Sequence, residues 1–235
     1  GTLGMNVMIG WTGQIGLAVA GFFGLGAYAT SILHERGLPW ILAVVGVGLF
    51  AAIIGFIDGF PAVRLFGFFL AIASLAFGDL ILRVILEADG ITGGGGGYSV
   101  QLLDFWGFDR EIALYYICLL AIVAFMVFVG RVLEGRLGRT MRAVNNIEIA
   151  APSLGIAPPK YKLIAFMFSG SIAALAGSIF AQLLTYLSPD MFKTSLLITM
   201  LVMLIVGGVG SLWGSFAGAI FVVFVQEWLQ AFAVY

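Results

Sequence analysis

Two uncharged stretches of 33 residues, Gly1 to Leu33 and Thr194 to Gln226, constrain this chain more than anything else in it. As straight helices, each rising about 1.5 Å per residue, they would reach roughly 50 Å, whereas the hydrocarbon core of a bilayer is about 30 Å thick. Each must therefore bend or break. Four further blocks lie between them: Gly37 to Ile57, Leu65 to about Leu86 with only Asp79 and Arg83 inside it, Ile112 to Gly130, and Leu163 to Pro189. Only 10% of the 235 residues are charged, against about 25% in a soluble domain. Lipid is the expected solvent, and the expected fold is an all-α, polytopic integral membrane bundle with broken or re-entrant helices.

The breaks are expected at glycine clusters: Gly10 and Gly13 in the first block, Gly207, Gly208 and Gly210 in the last. Gly10, Gly13, Ala20 and Gly21 recur at one constant offset as Gly207, Gly210, Ala217 and Gly218, as in transporters built from repeats. Non-helical backbone survives at membrane depth where it is buried in protein or lines a wet cavity, so both breaks are candidates for a translocation pathway. Thr12, Gln14 and Ser211 could replace water around a passing polar solute, or could cap the broken helices internally; the sequence does not separate these roles. Asp79 and Arg83 are one helical turn apart, which allows an ion pair; Asp79 could instead meet the charged group of a zwitterionic substrate or act as a gate. The pairs Gly55/Gly59 and Gly214/Gly218 suit close helix packing.

Charge sets the orientation. Of the 11 Lys and Arg residues, Arg131, Arg136, Arg139, Arg142, Lys160 and Lys162 lie between the fourth and fifth blocks, so the loop 131–162 is expected in the cytoplasm. The loop 87–111 holds Glu87, Asp89, Asp104, Asp109 and Glu111 against Arg110 alone and suits the outside. Alternation then puts Asp58 to Arg64 inside and His34 to Arg36 outside. One cysteine, Cys118, and one histidine, His34, exclude a disulfide framework and a multi-histidine metal site within the chain. No GxxxxGK[ST] stretch occurs, so no P-loop nucleotide site is expected, and the Gly93 to Gly97 run lacks the lysine a phosphate cradle would need. The chain begins and stops inside hydrophobic sequence, so a single transmembrane domain, residues 1–235 and partial at both ends, is expected.

The cationic loop contains GRTMRAVNNIEIAA (Gly138 to Ala151), of helical composition, followed by Gly155 and a Pro158-Pro159 stop. Glu148-Ile149-Ala150-Ala151 with Gly155 resembles the EAA-type coupling loop of ABC importer permeases. LGMNVMIGWTGQIGL (Leu3 to Leu17), FFGLGAY (Phe22 to Tyr28), FPAVRL (Phe60 to Leu65), LAIASLAFGDLILRVIL (Leu70 to Leu86), ITGG (Ile91 to Gly94), YKLIAF, SPDMF and GGVGSLWG are similar, in order along the chain, to the M-type branched-chain amino-acid ABC permease family. Two departures stand out: Gly16, Leu17, Ala18 and Val19 where the family usually has a Gly-His pair, and Asn145, Asn146 and Ile147 where it usually has a charged pair.

The resemblance implies a non-enzymatic permease subunit of the bacterial inner membrane that moves branched-chain amino acids by alternating access. Its implied partners are a homologous permease subunit, two cytoplasmic ATPases that bind ATP and Mg, an extracytoplasmic binding protein and lipid, with no nucleic acid and no cofactor in this chain. ATPase coupling is expected at Arg139, Arg142, Glu148, Ala150, Ala151 and Gly155. The pathway is expected at Thr12, Gly13, Gln14, Asp79, Gly207, Gly208, Gly210 and Ser211. The rival readings are a urea or short-amide permease and an ion-coupled transporter acting without an ATPase.

Overall fold

The computed structural model describes residues 1–65, 67–103, 110–146, 151 and 155–233. Along the chain run α1 (Thr2–Asn6), a π-helical turn (Val7–Trp11), α2 (Val19–Glu35), α3 (Trp40–Gly59), a 3₁₀ turn (Pro61–Val63), α4 (Phe68–Glu87), α5 (Asp89–Thr92) and a second 3₁₀ turn (Gly94–Gly96). After β1 (Tyr98–Ser99) come α6 (Arg110–Glu134), α7 (Arg136–Asn146), α8 (Pro158–Ala181), β2 (Tyr186–Leu187), a 3₁₀ turn (Pro189–Phe192), α9 (Thr194–Gly207) and α10 (Leu212–Ala233). Among the described residues, six helical stretches are long and apolar enough to cross a membrane: α3, α4, α6, α8, Pro189–Gly207 and α10.

Those six do not map one to one onto the six apolar blocks. The second to fifth blocks yield one helix each, but the sixth yields two, α9 and α10, folded back on each other. Gly218 faces Gly207 and Met203, and Gly214 faces Gly207, which is the register of an antiparallel hairpin. The first block breaks after Trp11 and resumes as α2 at Val19, leaving Thr12 to Ala18 largely irregular. Both long blocks thus break as their length demands, near the expected glycines.

Helix α8 is the central post. Its buried stripe is made of small residues, including Ser169, Gly170, Ala173, Ala174, Gly177 and Ser178. Small side chains let neighbouring backbones approach, which is how helices associate in lipid, where apolar burial alone gives little preference. On α3, a Cβ at Gly55 would stand 2.7 Å from the Phe166 carbonyl oxygen, so this glycine is required for contact with α8. On the α2 side, Thr30 and Ser178 share a hydrogen bond of 2.6 Å, and the Ser178 hydroxyl also reaches the Gly26 carbonyl at 3.1 Å.

The contacts sort the loops between two ends of the bundle. At one end β1 pairs with β2, Tyr28 donates to the Leu187 carbonyl at 3.0 Å, and Tyr98 donates to Glu35. At the other, Gly59 packs on Leu163 and Phe166, and α7 lies against the turn after α1. The described parts of the acidic and cationic loops therefore sit at opposite ends, the arrangement that alternation requires.

Candidate functional site

The two breaks lie back to back. A Cβ at Gly10 would stand 2.6 Å from the Gly210 amide nitrogen, so no side chain fits at that contact. Gly13 and Gly210, matched by the repeat offset, both adopt positive φ, 66° and 86°, a region that costs other L-residues about 1–2 kcal/mol. Asn6 joins the breaks. Its side chain is fully buried, its Oδ1 accepts from the Gly210 amide at 2.8 Å, and its Nδ2 donates to the Ser211 carbonyl at 2.8 Å and the Ser215 hydroxyl at 2.6 Å. Within a bilayer a freed backbone amide needs such a partner.

The polar residues expected in the pathway divide by role. Thr12 caps its own break, its hydroxyl donating to the Met8 carbonyl at 2.7 Å. Ser211 is the N-cap of α10, its hydroxyl accepting from the Gly214 amide at 3.0 Å. Gln14 differs from both: it is 5% exposed, yet neither atom of its amide has a partner among the described residues. The end of the first break is fastened from α4, where the Ser74 hydroxyl accepts from the Leu17 amide at 2.7 Å.

Asp79 and Arg83 are both exposed on α4 and form no ion pair, contrary to one of the expected readings. Asp79 instead faces a shallow cleft closed by Leu17, Leu75, Lys193 and Thr194.

The loop helix α7 has one buried edge, Gly138, Met141 and Val144, with Arg139, Arg142 and Asn145 outside it. Met141 shares an apolar cluster with Val7 and Trp11 of the first broken helix and with Leu133 of α6, and Leu212 of α10 packs against it. The Arg142 guanidinium lies 5.4 Å from the centre of the Trp11 ring, within cation–π range. Asn145 occupies the space beside Gly13 where a Cβ would go. Thus Arg142, though exposed, lies over Trp11 beside the first break, whereas Arg139 donates to the Glu134 carbonyl at 3.2 Å. Ala151 is buried and Gly155 is exposed with φ 74°; Glu148 and Ala150 lie outside the described residues.

Asn6, Trp11, Ser74 and Ser215 were not singled out from the sequence. A lone asparagine in an apolar block is the signal that would have found Asn6. Asp58 was also missed: it is 3% exposed at the end of α3 and lies close to Ala18, Phe166 and Ser169, whose hydroxyl has no partner among the described residues.

A polytopic helical bundle in which two broken helices meet at their bends above a cationic loop helix has the architecture of a membrane transporter. The chain belongs to the family described as branched-chain amino acid transport system / permease component, which matches residues 1–235. It is 34% identical to the high-affinity branched-chain amino acid transport system permease protein LivM of Escherichia coli (strain K12), over 99% of this chain and 61% of that protein. The corresponding LivM of Salmonella typhimurium is 33% identical over the same shares. The autoinducer 2 import system permease protein LsrC of Enterobacter sp. (strain 638) is 30% identical over 47% of this chain and 34% of its own length. The chain thus spans about three fifths, 61%, of the length of the LivM proteins. No solved structure gives a significant match.

Proposed function

We propose that this chain is a membrane-spanning part of a permease subunit that imports branched-chain amino acids across the bacterial inner membrane, driven by separate ATPase subunits. The observation that carries the reading is the junction of the two breaks at Asn6, with α7 packed into the same apolar cluster as the first of them. A push on α7 from the cytoplasm would be delivered through Met141, Arg142 and Asn145 to Trp11 and Gly13, and through Asn6 to Gly210 and Ser211. The breaks are the points at which the bundle can exchange which face is open, as alternating access requires.

In this reading the chain itself catalyses nothing and binds no cofactor: ATP and Mg belong to two cytoplasmic ATPases gripping the 131–162 loop, with Glu148, Ala150, Ala151 and Gly155 at the contact. A homologous permease subunit completes the pore, and a binding protein delivers substrate to the other end. The names of the LivM relatives support branched aliphatic amino acids over urea or short amides, and family membership favours an ATP-driven importer over an ion-coupled transporter acting alone. Isolation of the full-length protein with its attached subunits tests this. An ABC ATPase and an amino-acid-binding protein should co-purify, with isoleucine, leucine and valine competing for uptake while urea does not; competition by urea would overturn the substrate assignment.

A further inference from the structure

We propose that the groove between the start of α6 and the end of α8 binds a membrane phospholipid whose head group carries a phosphate and an ammonium. The groove has a volume of about 460 Å³ and is lined by Arg110, Glu111, Leu114, Tyr115 and Cys118 of α6 and by Leu183 just after α8. That volume is within the range of about 300–1,000 Å³ that holds small ligands. Its polar end lies at the first turn of a membrane-spanning helix of 25 residues. From Arg110 the groove descends along α6 to Cys118, about 12 Å of helix, past side chains that are apolar or aromatic. Tyr115 and Tyr116 are both exposed there, as aromatic residues are at the level of lipid head groups. A soluble anion would use only the polar end of such a groove, whereas a lipid uses its whole length.

The polar end is charged and unmatched. Among the described residues the Arg110 guanidinium makes one hydrogen bond, from Nη2 to the Gln182 carbonyl at 2.9 Å, and no ion pair. Its Nε has no acceptor, and neither has Nε2 of Gln182, a side chain only 1% exposed. The corner therefore holds more donors than acceptors, a surplus that calls for an added acceptor such as water or an ion. At the surface of a bilayer the abundant acceptor is a phosphate. Glu111 is exposed and also without an ion pair among the described residues. Successive residues do not face each other on a helix, so Arg110 and Glu111 present opposite charges side by side without cancelling. A phosphate at Arg110 and an ammonium at Glu111 match that pair, whereas a purely anionic head would leave Glu111 opposed. Leu114 and Leu183 are then placed to take up an acyl chain. Of the described α6 side chains only Leu114, Val129 and Leu133 are buried, so a lipid seated here adds to the few contacts holding this end of the helix.

Cys118, the one cysteine in these 235 residues and partly buried in the groove, is the reporter. The full-length protein, with any attached subunits and with Cys118 as its sole cysteine, is purified in detergent and labelled with a maleimide. Phosphatidylethanolamine, phosphatidylglycerol, which has the phosphate but no ammonium, or diacylglycerol, which has neither, is titrated into the micelles with the same acyl chains. Phosphatidylethanolamine should slow labelling at a mole fraction roughly tenfold below that of phosphatidylglycerol, and diacylglycerol should not protect. Arg110→Gln should abolish the advantage of both phospholipids over diacylglycerol, and Glu111→Gln that of phosphatidylethanolamine over phosphatidylglycerol. Unchanged labelling of each variant without lipid verifies that the groove is intact. Should Arg110→Gln fail this check, Arg110→Lys, which keeps the charge, should retain the preference for phospholipid over diacylglycerol, and its loss there would count against the site. Equal protection by diacylglycerol and phosphatidylethanolamine, or full protection in Arg110→Gln, overturns the proposal. So does equal protection by glycerophosphoethanolamine, which has the head group without the chains, and so does a Cys118 thiol that is unreactive in lipid-free detergent, which would show the groove covered by protein.

Discussion

Replacing Asn6 by leucine keeps most of the side-chain volume and removes all three hydrogen bonds that join the breaks. The Gly210 amide loses the Asn6 acceptor, while the Ser211 carbonyl keeps its bonds from the Ser215 amide and hydroxyl, each at 3.1 Å. The Gly210 amide is only partly buried, so leaving it unpaired costs about 1 kcal/mol, the low end of the range for a buried donor, and each of the other two lost hydrogen bonds costs about 1 kcal/mol. The sum is about 3 kcal/mol, a factor of roughly 150 in a local opening equilibrium. Leu204 on α9 is fully buried, so a cysteine placed there in a C118S background reports that opening through its labelling rate. Asn6→Leu should raise the rate by about two orders of magnitude and lower ATP-driven uptake, with membrane insertion retained. Asn6→Asp keeps an acceptor for the Gly210 amide but sets a carboxylate against the Ser211 carbonyl, so it should not restore the parent rate. Parent-like labelling and uptake in Asn6→Leu would refute the clamp and the route of force through it.

Arg142→Ala should remove an exposed contact worth about 0.5–1 kcal/mol and reduce uptake per ATP hydrolysed, with Arg142→Lys intermediate; the ratio of transport to phosphate release is the measurement. Gly13→Ala should cost about 1–2 kcal/mol in backbone strain and also displace Asn145; adding Asn145→Ala should recover the displacement but not the strain, read as partial recovery of uptake. Ser211→Ala removes the N-cap of α10 and should cost about 1 kcal/mol, seen as faster labelling of the Leu204→Cys reporter. Replacing Glu148 should leave insertion intact and uncouple hydrolysis from uptake.

How much of this was visible in the sequence depends on the length scale of each feature. The breaks were legible because 33 uncharged residues exceed a bilayer and glycine tolerates positive φ, as Gly13 and Gly210 do. The glycine spacing also held: Gly55 lies against α8 and Gly218 against α9. That the last block would form two helices rather than one bent helix was not legible, since periodicity alone does not distinguish a kink from a reversal. The contact of Gly10 with Gly210 joins residues at opposite ends of the chain, which no local pattern encodes. Asp79 and Arg83 have the spacing of a helical pair yet do not meet, because spacing permits a contact without supplying the rotamers for it. Thr12 and Ser211 make capping hydrogen bonds, one of the two roles their positions in the sequence allow.

The decisive measurement is leucine accumulation in proteoliposomes holding the full-length protein with the companion permease and ATPase subunits proposed for it, and with the proposed binding protein added on the other side. The account predicts accumulation that requires ATP and stops when the ATPase subunits are omitted or when Glu148 is replaced. Accumulation that persists without them would contradict it.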